Sequence, residues 1–144
     1  MDQAVIKYYR KLLKAGFEHA GSVDNAAILL DAVGEKMRIC DHVGEDSLRL
    51  YISVEDGRIA GTRYLCTCDP TTNVAVEILC GLVEGKTLEG VESLTPDSFA
   101  SVLQSDSDEL TKKAKGLIEL LRIGINRYRT EGSSQRGQGI SEDN

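Results

Sequence analysis

The chain opens with apolar residues at helical spacing, which predict an amphipathic helix over about 2–15 that ends by Gly16. The apolar positions are Val5, Tyr8, Tyr9, Leu12 and Leu13. The next segment, 16–35, has no such pattern beyond a short apolar patch at 28–30 and is predicted to be a loop. One helix therefore precedes the rest of the fold.

Strict alternation of apolar and polar residues over 48–54 predicts a half-buried antiparallel strand. Asp56-Gly57 is a two-residue turn of the kind that joins hairpin strands, so the chain should return as a second strand over 58–66. A strand through 36–40 would complete a three-stranded antiparallel sheet.

Three helices are predicted after the hairpin. The segment 69–84 is apolar on nearly every side, which is typical of a helix packed inside a domain, and it ends at Gly85. Asp69 suits its N-cap and Pro70 its first position. A short helix should run from Pro96 to about 103, and a long one from 108 to about 128.

These elements predict an α+β fold in which a three-stranded antiparallel sheet packs against four to five helices. We expect one domain over 1–129. The segment 130–144 is polar and rich in glycine, and we predict that it is a disordered tail.

The composition and net charge argue against some classes of binding partner. The chain has 144 residues, 41% of them hydrophobic, and a net charge of −6, which disfavours non-specific binding to nucleic acid or to an anionic membrane. No apolar run is long enough for a bilayer span, and the first residues lack the pattern of a signal peptide. We therefore expect a cytoplasmic protein without nucleic-acid or membrane partners.

The candidate metal-binding residues are cysteines. Cys66 and Cys68 stand one residue apart just before a helix N-terminus, whose partial positive charge favours thiolate. In extended chain both would point to one face and could bind one metal. The alternative is that they are two half-buried thiols without a ligand role. Cys80, inside the apolar helix, is expected to pack in the core, and His19, in a polar loop, to have no metal role.

Catalytic motifs are absent from the sequence. There is no Gly-rich phosphate loop, no Ser-centred elbow and no His-Glu metalloprotease helix, and the chain has two histidines. Cys-x-Cys is also a weaker redox signal than Cys-x-x-Cys. We therefore expect that the protein is not an enzyme.

The cysteine-bearing hairpin end, together with the phrase Leu82-Val83-Glu84-Gly85-Lys86-Thr87-Leu88, resembles the U-type iron–sulfur cluster scaffold family, the group of IscU and the NifU N-terminal domain. The resemblance runs from about Tyr9 to Tyr128. It implies transient assembly of a cluster, expected to be [2Fe–2S], from iron and from sulfur supplied by a cysteine desulfurase. Recipient apo iron–sulfur proteins would be the further partners; the resemblance leaves the oligomeric state open.

The resemblance also implies a divergent ligand set. The second family cysteine matches Cys66 or Cys68. The family's first cysteine aligns with Gly44, which puts Asp46 at the position of the family's aspartate. With a short insertion in the preceding loop, that cysteine aligns instead with Cys40, and Asp41 or His42 lies beside it. The third falls at Ser107, preceded by Asp106. The implied cluster ligands are Cys40, Cys66 and Cys68, and the further candidate metal ligands are Asp41, His42, Asp46 and Ser107.

Because serine stands where the third cysteine is expected, a second interpretation remains open. A relative that has lost assembly could hold zinc through Cys40, Cys66, Cys68 and His42 as a closed structural site. Such a protein would serve as a structural or interaction module.

Overall fold

The computed structural model describes residues 3–31, 48–67, 69–105 and 107–138, with side chains up to residue 131. Its elements are α1 (Gln3–Ala15), β1 (Ile28–Asp31), β2 (Leu48–Glu55), β3 (Arg58–Cys66), α2 (Pro70–Val83), a 3-10 helix (Gly90–Ser93), α3 (Pro96–Leu103) and α4 (Asp108–Gln138). Three strands and four α-helices make this an α+β fold, which confirms the predicted class. No helix of the described ranges is both long and apolar enough to cross a membrane.

The sheet is antiparallel in the order β1-β2-β3. The predicted hairpin is confirmed: Asp56 and Gly57 have φ of 53° and 74°, as the tight turn between right-twisted strands requires. Alternate residues of β2 face inward, so Leu48, Leu50 and Ile52 are buried. A bulge opposite 53–54 shifts the register of β3.

The third strand differs from the prediction. It is β1, four residues inside the segment predicted to be a loop, paired with β2 from Ile28 opposite Ile52 to Asp31 opposite Arg49. Four residues are too few for alternation to mark a strand, and pairing with β2 decides it. The predicted strand at 36–40 lies outside the described residues.

Helix α2 lies at the centre of the domain, in contact with β3 and with the other three α-helices. Ten of its fourteen residues are buried, as the sequence predicted. The Asp69 carboxylate accepts a hydrogen bond from the Thr72 amide (2.8 Å), which confirms the predicted N-cap. After α2, Gly85 has φ of 87°, a value that favours glycine and ends the helix.

Helix α3 has the predicted bounds, whereas α4 begins where predicted and is longer than predicted. Helix α3 begins at Pro96, where the Thr95 amide donates to the Ser98 hydroxyl (3.3 Å). Helix α4 continues to Gln138, so the predicted end near Tyr128 was too early. Residues 139–144 lie outside the described part, and the division of the chain at residue 129 stays a prediction.

Helix α4 comes very close to β1 at Gly124. A Cβ atom at this position would lie 2.5–2.9 Å from Cδ2, Cδ1 and Cγ of Leu30, whose side chain is buried. Real Cβ contacts are essentially never that short. The absence of a side chain at Gly124 is therefore what lets the helix lie against the strand.

We predict that Gly124→Ala destabilises the protein. Overpacking a core costs about 1–3 kcal/mol, and the better helix propensity of alanine returns at most about 1 kcal/mol. Gly81→Ala is the matched control, because Gly81 is an exposed residue of α2 with no atom within 4 Å of the added Cβ. Urea denaturation should show a lower free energy of unfolding for Gly124→Ala only; equal or higher stability of that variant would contradict the packing.

Candidate functional site

The described thiol nearest the predicted site is that of Cys66, the last residue of β3. Cys66 pairs with Leu48 of β2 and is half-buried. Three residues later, Asp69 has an extended backbone, and its side chain caps α2. The hairpin therefore delivers a thiol to the neighbourhood of a helix N-terminus, where partial positive charge favours an anion.

An ion pair with a buried ammonium lies at the same helix end. The second carboxylate oxygen of Asp69 lies 3.7 Å from Nζ of Lys113, and the Lys113 side chain is only 5% exposed. Lys113 belongs to α4, so this ion pair joins the early turns of α4 to the start of α2. The partners of the Asp69 carboxylate include the Thr72 amide and the Lys113 ammonium.

Ser107 caps α4. Its hydroxyl accepts a hydrogen bond from the Leu110 amide (3.2 Å), and its carbonyl accepts one from the Thr111 amide (2.9 Å). The residue is buried. Ser107 thus satisfies amide groups that a helix start leaves without intrahelical partners.

Two buried hydroxyls lie in the first turn of α2. Thr71 and Thr72 are fully buried, and the described residues offer their Oγ1 atoms no hydrogen-bond partner. Buried hydroxyls are ordinarily hydrogen-bonded. Together with Cys66 and Asp69, they put sulfur and oxygen atoms at this end of α2.

The other predicted ligands, Cys40, Asp41, His42, Asp46 and Cys68, lie outside the described residues, as does Asp106. Among residues 3–31, 48–67, 69–105 and 107–138, no three His, Cys, Asp or Glu side chains form a group that could hold a metal. The ligand set, including the choice between Cys66 and Cys68, stays a prediction.

Cys80 is a core residue, as the sequence indicated. Its side chain is fully buried in α2, and burial raises the pKa of the thiol to about 12. A thiol with such a pKa stays protonated at neutral pH and is a poor metal ligand.

His19 is buried, although its segment reads as a polar loop. Nδ1 lies 3.1 Å from Oε2 of Glu77, Nε2 lies 3.4 Å from Oε2 of Glu84, and the His19 amide donates to Oε1 of Glu77 (2.7 Å). Both ring nitrogens thus face carboxylates. Burial alone would lower the pKa of His19, but the hydrogen bond and charge of Glu77, followed by the charge of Glu84, raise it overall.

Glu84 connects this cluster to β3. The Thr62 amide and hydroxyl donate to its carboxylate (3.0 and 3.1 Å), and Arg63 lies 3.7 Å away. Burial favours the neutral acid, but these donors and the charge of His19 lower the pKa of Glu84 overall. One signal in the sequence could have revealed the cluster: Glu77 interrupts the apolar helix, and Glu84 follows it after two turns, on the same side.

No protein-family model matches the sequence, and no curated protein matches it. Solved structures do match. A nitrogen-fixing NifU-like protein (N-terminal) from Brucella abortus superposes with a TM-score of 0.59 at 7% identity, over 90% of this chain and 94% of that one. A scaffold protein of iron–sulfur cluster assembly assigned to the SUF system of Fervidobacterium islandicum AW-1 superposes with a TM-score of 0.55 at 12% identity, over 87% and 96%.

The chain therefore has the fold of NifU-like N-terminal and SufU scaffold proteins along nearly its whole length. This confirms the predicted architecture and supports the resemblance at the level of fold.

We predict that His19 makes stability depend on pH. Because the folded pKa of His19 is raised above 6.5, its stabilisation is present below about pH 6.5 and is lost as pH rises through the folded value. Glu84, with a lowered pKa, contributes above its ordinary value of 4.5 and less in more acidic solution. His19→Gln should therefore cost more stability near about pH 5.5 than near about pH 9 in urea denaturation.

Glu18→Gln, at the exposed neighbouring position, is the matched control and should follow the pH profile of the unaltered chain. An equal loss for His19→Gln at both pH values would show that the ring acts by packing alone.

Proposed function

We propose that the protein is a scaffold that transiently binds iron or an iron–sulfur cluster and passes it to apo-proteins. The observation that carries the proposal is the fold, which matches a NifU-like protein and an iron–sulfur cluster assembly scaffold protein over about nine-tenths of every chain compared. The second support is local: a thiol, Cys66, stands where the hairpin meets the start of α2.

The proposed chemistry is that of thiolate ligands for a cargo cluster of [2Fe–2S] type. Cys66, Cys68 and Cys40 would be the main ligands, with Asp41, His42 or Asp46 as weaker ones that keep the cargo labile. The N-terminus of α2 would supply partial positive charge that favours thiolate and an anionic cluster. Such a protein supplies ligands rather than a reacting group, so we propose no enzymatic activity.

The partners follow from this role. Sulfur would come from a cysteine desulfurase, and the cluster would leave for recipient apo iron–sulfur proteins. We place the protein in the cytoplasm, because reduced thiols are what this chemistry needs.

Reconstitution tests the proposal. The chain, with its thiols first reduced and the reductant then removed, should develop visible absorption from sulfur-to-iron charge transfer when it is incubated anaerobically with ferric iron and sulfide. Cys40→Ser, Cys66→Ser and Cys68→Ser should each lower the amount of bound iron. Cys80→Ala is the matched control, since it removes a buried core thiol. A colourless, folded protein at full thiol reduction would contradict the proposal, and so would losses no greater than in the control.

One observation favours a zinc-binding module instead. The Asp69 carboxylate and the Ser107 hydroxyl already have structural partners: Asp69 contacts Thr72 and Lys113, and Ser107 caps α4. With these groups engaged, Cys40, Cys66, Cys68 and His42 would form a closed zinc site. One tightly held zinc per chain, whose removal unfolds the domain, would support this version; a metal-free protein that stays folded would reject it.

Ser107→Cys tests the predicted third-ligand position. A thiolate binds iron better than a hydroxyl, so the variant should increase the yield and lifetime of the reconstituted cluster. It should also lose part of the helix cap, at a cost of about 1 kcal/mol. Ser107→Ala is the matched control, because it loses the cap without adding a thiol. No gain in Ser107→Cys, with stability equal to that of Ser107→Ala, would show that the start of α4 takes no part in binding.

A further inference from the structure

A groove of about 850 Å³ lies between α1 and the end of α3, outside the site discussed above. We call it the α1–α3 groove. Its charged lining residues are Lys7, Arg10, Lys11 and Lys14, and its apolar ones include Tyr8, Leu13 and Val102.

The charge of the groove is opposite to that of the chain. The chain has a net charge of −6, yet α1 carries four cations in thirteen residues and no Asp or Glu. All four are exposed, none forms an ion pair with another described residue, and no described carboxylate lines the groove. An unneutralised basic stripe on an acidic protein attracts an acidic ligand.

The groove is also apolar. The exposed large hydrophobic side chains of the described residues are Leu13, Leu29, Leu65 and Val102. Two of them, Leu13 at 59% and Val102 at 42% exposure, line this one groove, with the half-buried ring of Tyr8 between the two walls. A ligand that covers them gains hydrophobic burial as well as ion pairs.

The groove lies away from the start of α2, the end of the helix that follows Cys66 in the chain. It adjoins a second groove, which shares Tyr8, Lys11 and Val102 and is lined by Ile78 and Gly81 of α2. Gly81 is about 18 Å along α2 from Asp69, at 1.5 Å per residue. A ligand in the α1–α3 groove would leave the thiol end accessible, so binding there does not depend on the proposed function.

We propose that the α1–α3 groove docks an acidic amphipathic helix of a partner protein. Apolar side chains on one face of that helix would cover Leu13, Val102 and Tyr8, and carboxylates beside them would pair with the cations of α1. This is helix-in-groove recognition, with apolar anchors at helical spacing. A nucleic acid would match the cations but not the apolar walls, and a flat bilayer does not fit a concave surface.

The experiment measures binding of a fluorescent peptide to the full chain without metal, by titration of fluorescence anisotropy. The peptide has about fourteen residues, with Leu at helical spacing and Glu elsewhere. The acidic peptide should bind saturably and more weakly as salt rises. Lys7→Glu/Lys11→Glu/Lys14→Glu and Leu13→Ser/Val102→Ser should each weaken binding by about tenfold or more. Lys112→Glu/Lys115→Glu, at exposed lysines of α4, is the matched control and should bind within about twofold of the unaltered chain.

Four outcomes would overturn the proposal. They are no saturable binding, equal binding of a peptide with Lys in place of Glu, an equal loss in the α4 control variant, and binding to phosphatidylglycerol vesicles or to a second copy of the chain in place of the peptide. Because no iron is present, failure here says nothing against the scaffold role, and failed reconstitution says nothing against docking.

Discussion

The structure depends on the burial of α2. Ten of its fourteen residues are buried, and the sheet and the other helices pack around this largely apolar helix. The close contact of Gly124 with Leu30 shows how tightly α4 and β1 close around this centre. Because most of α2 is buried, its start, which follows Cys66 in the chain, is one of the few parts of the helix where a ligand could meet a thiol.

Burial also dictates where charge is compensated. Glu77 lies inside the apolar helix, and an unpaired carboxylate there would be costly. His19 reaches it from the loop after α1, and Glu84 and Thr62 complete the cluster. At the other end of α2, Lys113 meets Asp69. These two charge pairs lock an N-terminal loop and α4 onto the same helix, one at each end.

The start of α2 and the surface of α1 therefore differ in charge and in exposure. At the start of α2, the carboxylate that caps the helix pairs with a buried ammonium, and Cys66 precedes them in the chain. Along α1, exposed cations border apolar side chains that no described element covers. The proposed cargo site at the start of α2 and the proposed partner surface on α1 would therefore be separate, and both could be used at once.

The sequence by itself determined the hairpin, the N-cap at Asp69, the buried nature of α2 and Cys80, and the fold class, because turn chemistry, capping and periodicity are local. Only the tertiary structure decided the strand at 28–31, since pairing with β2 creates it, and the true length of α4. Contacts far apart in sequence also decided the burial of His19 and the pairing of Asp69 with Lys113. No local pattern records which side chains from distant segments will meet, so the ligand set was the part that sequence reasoning could least define.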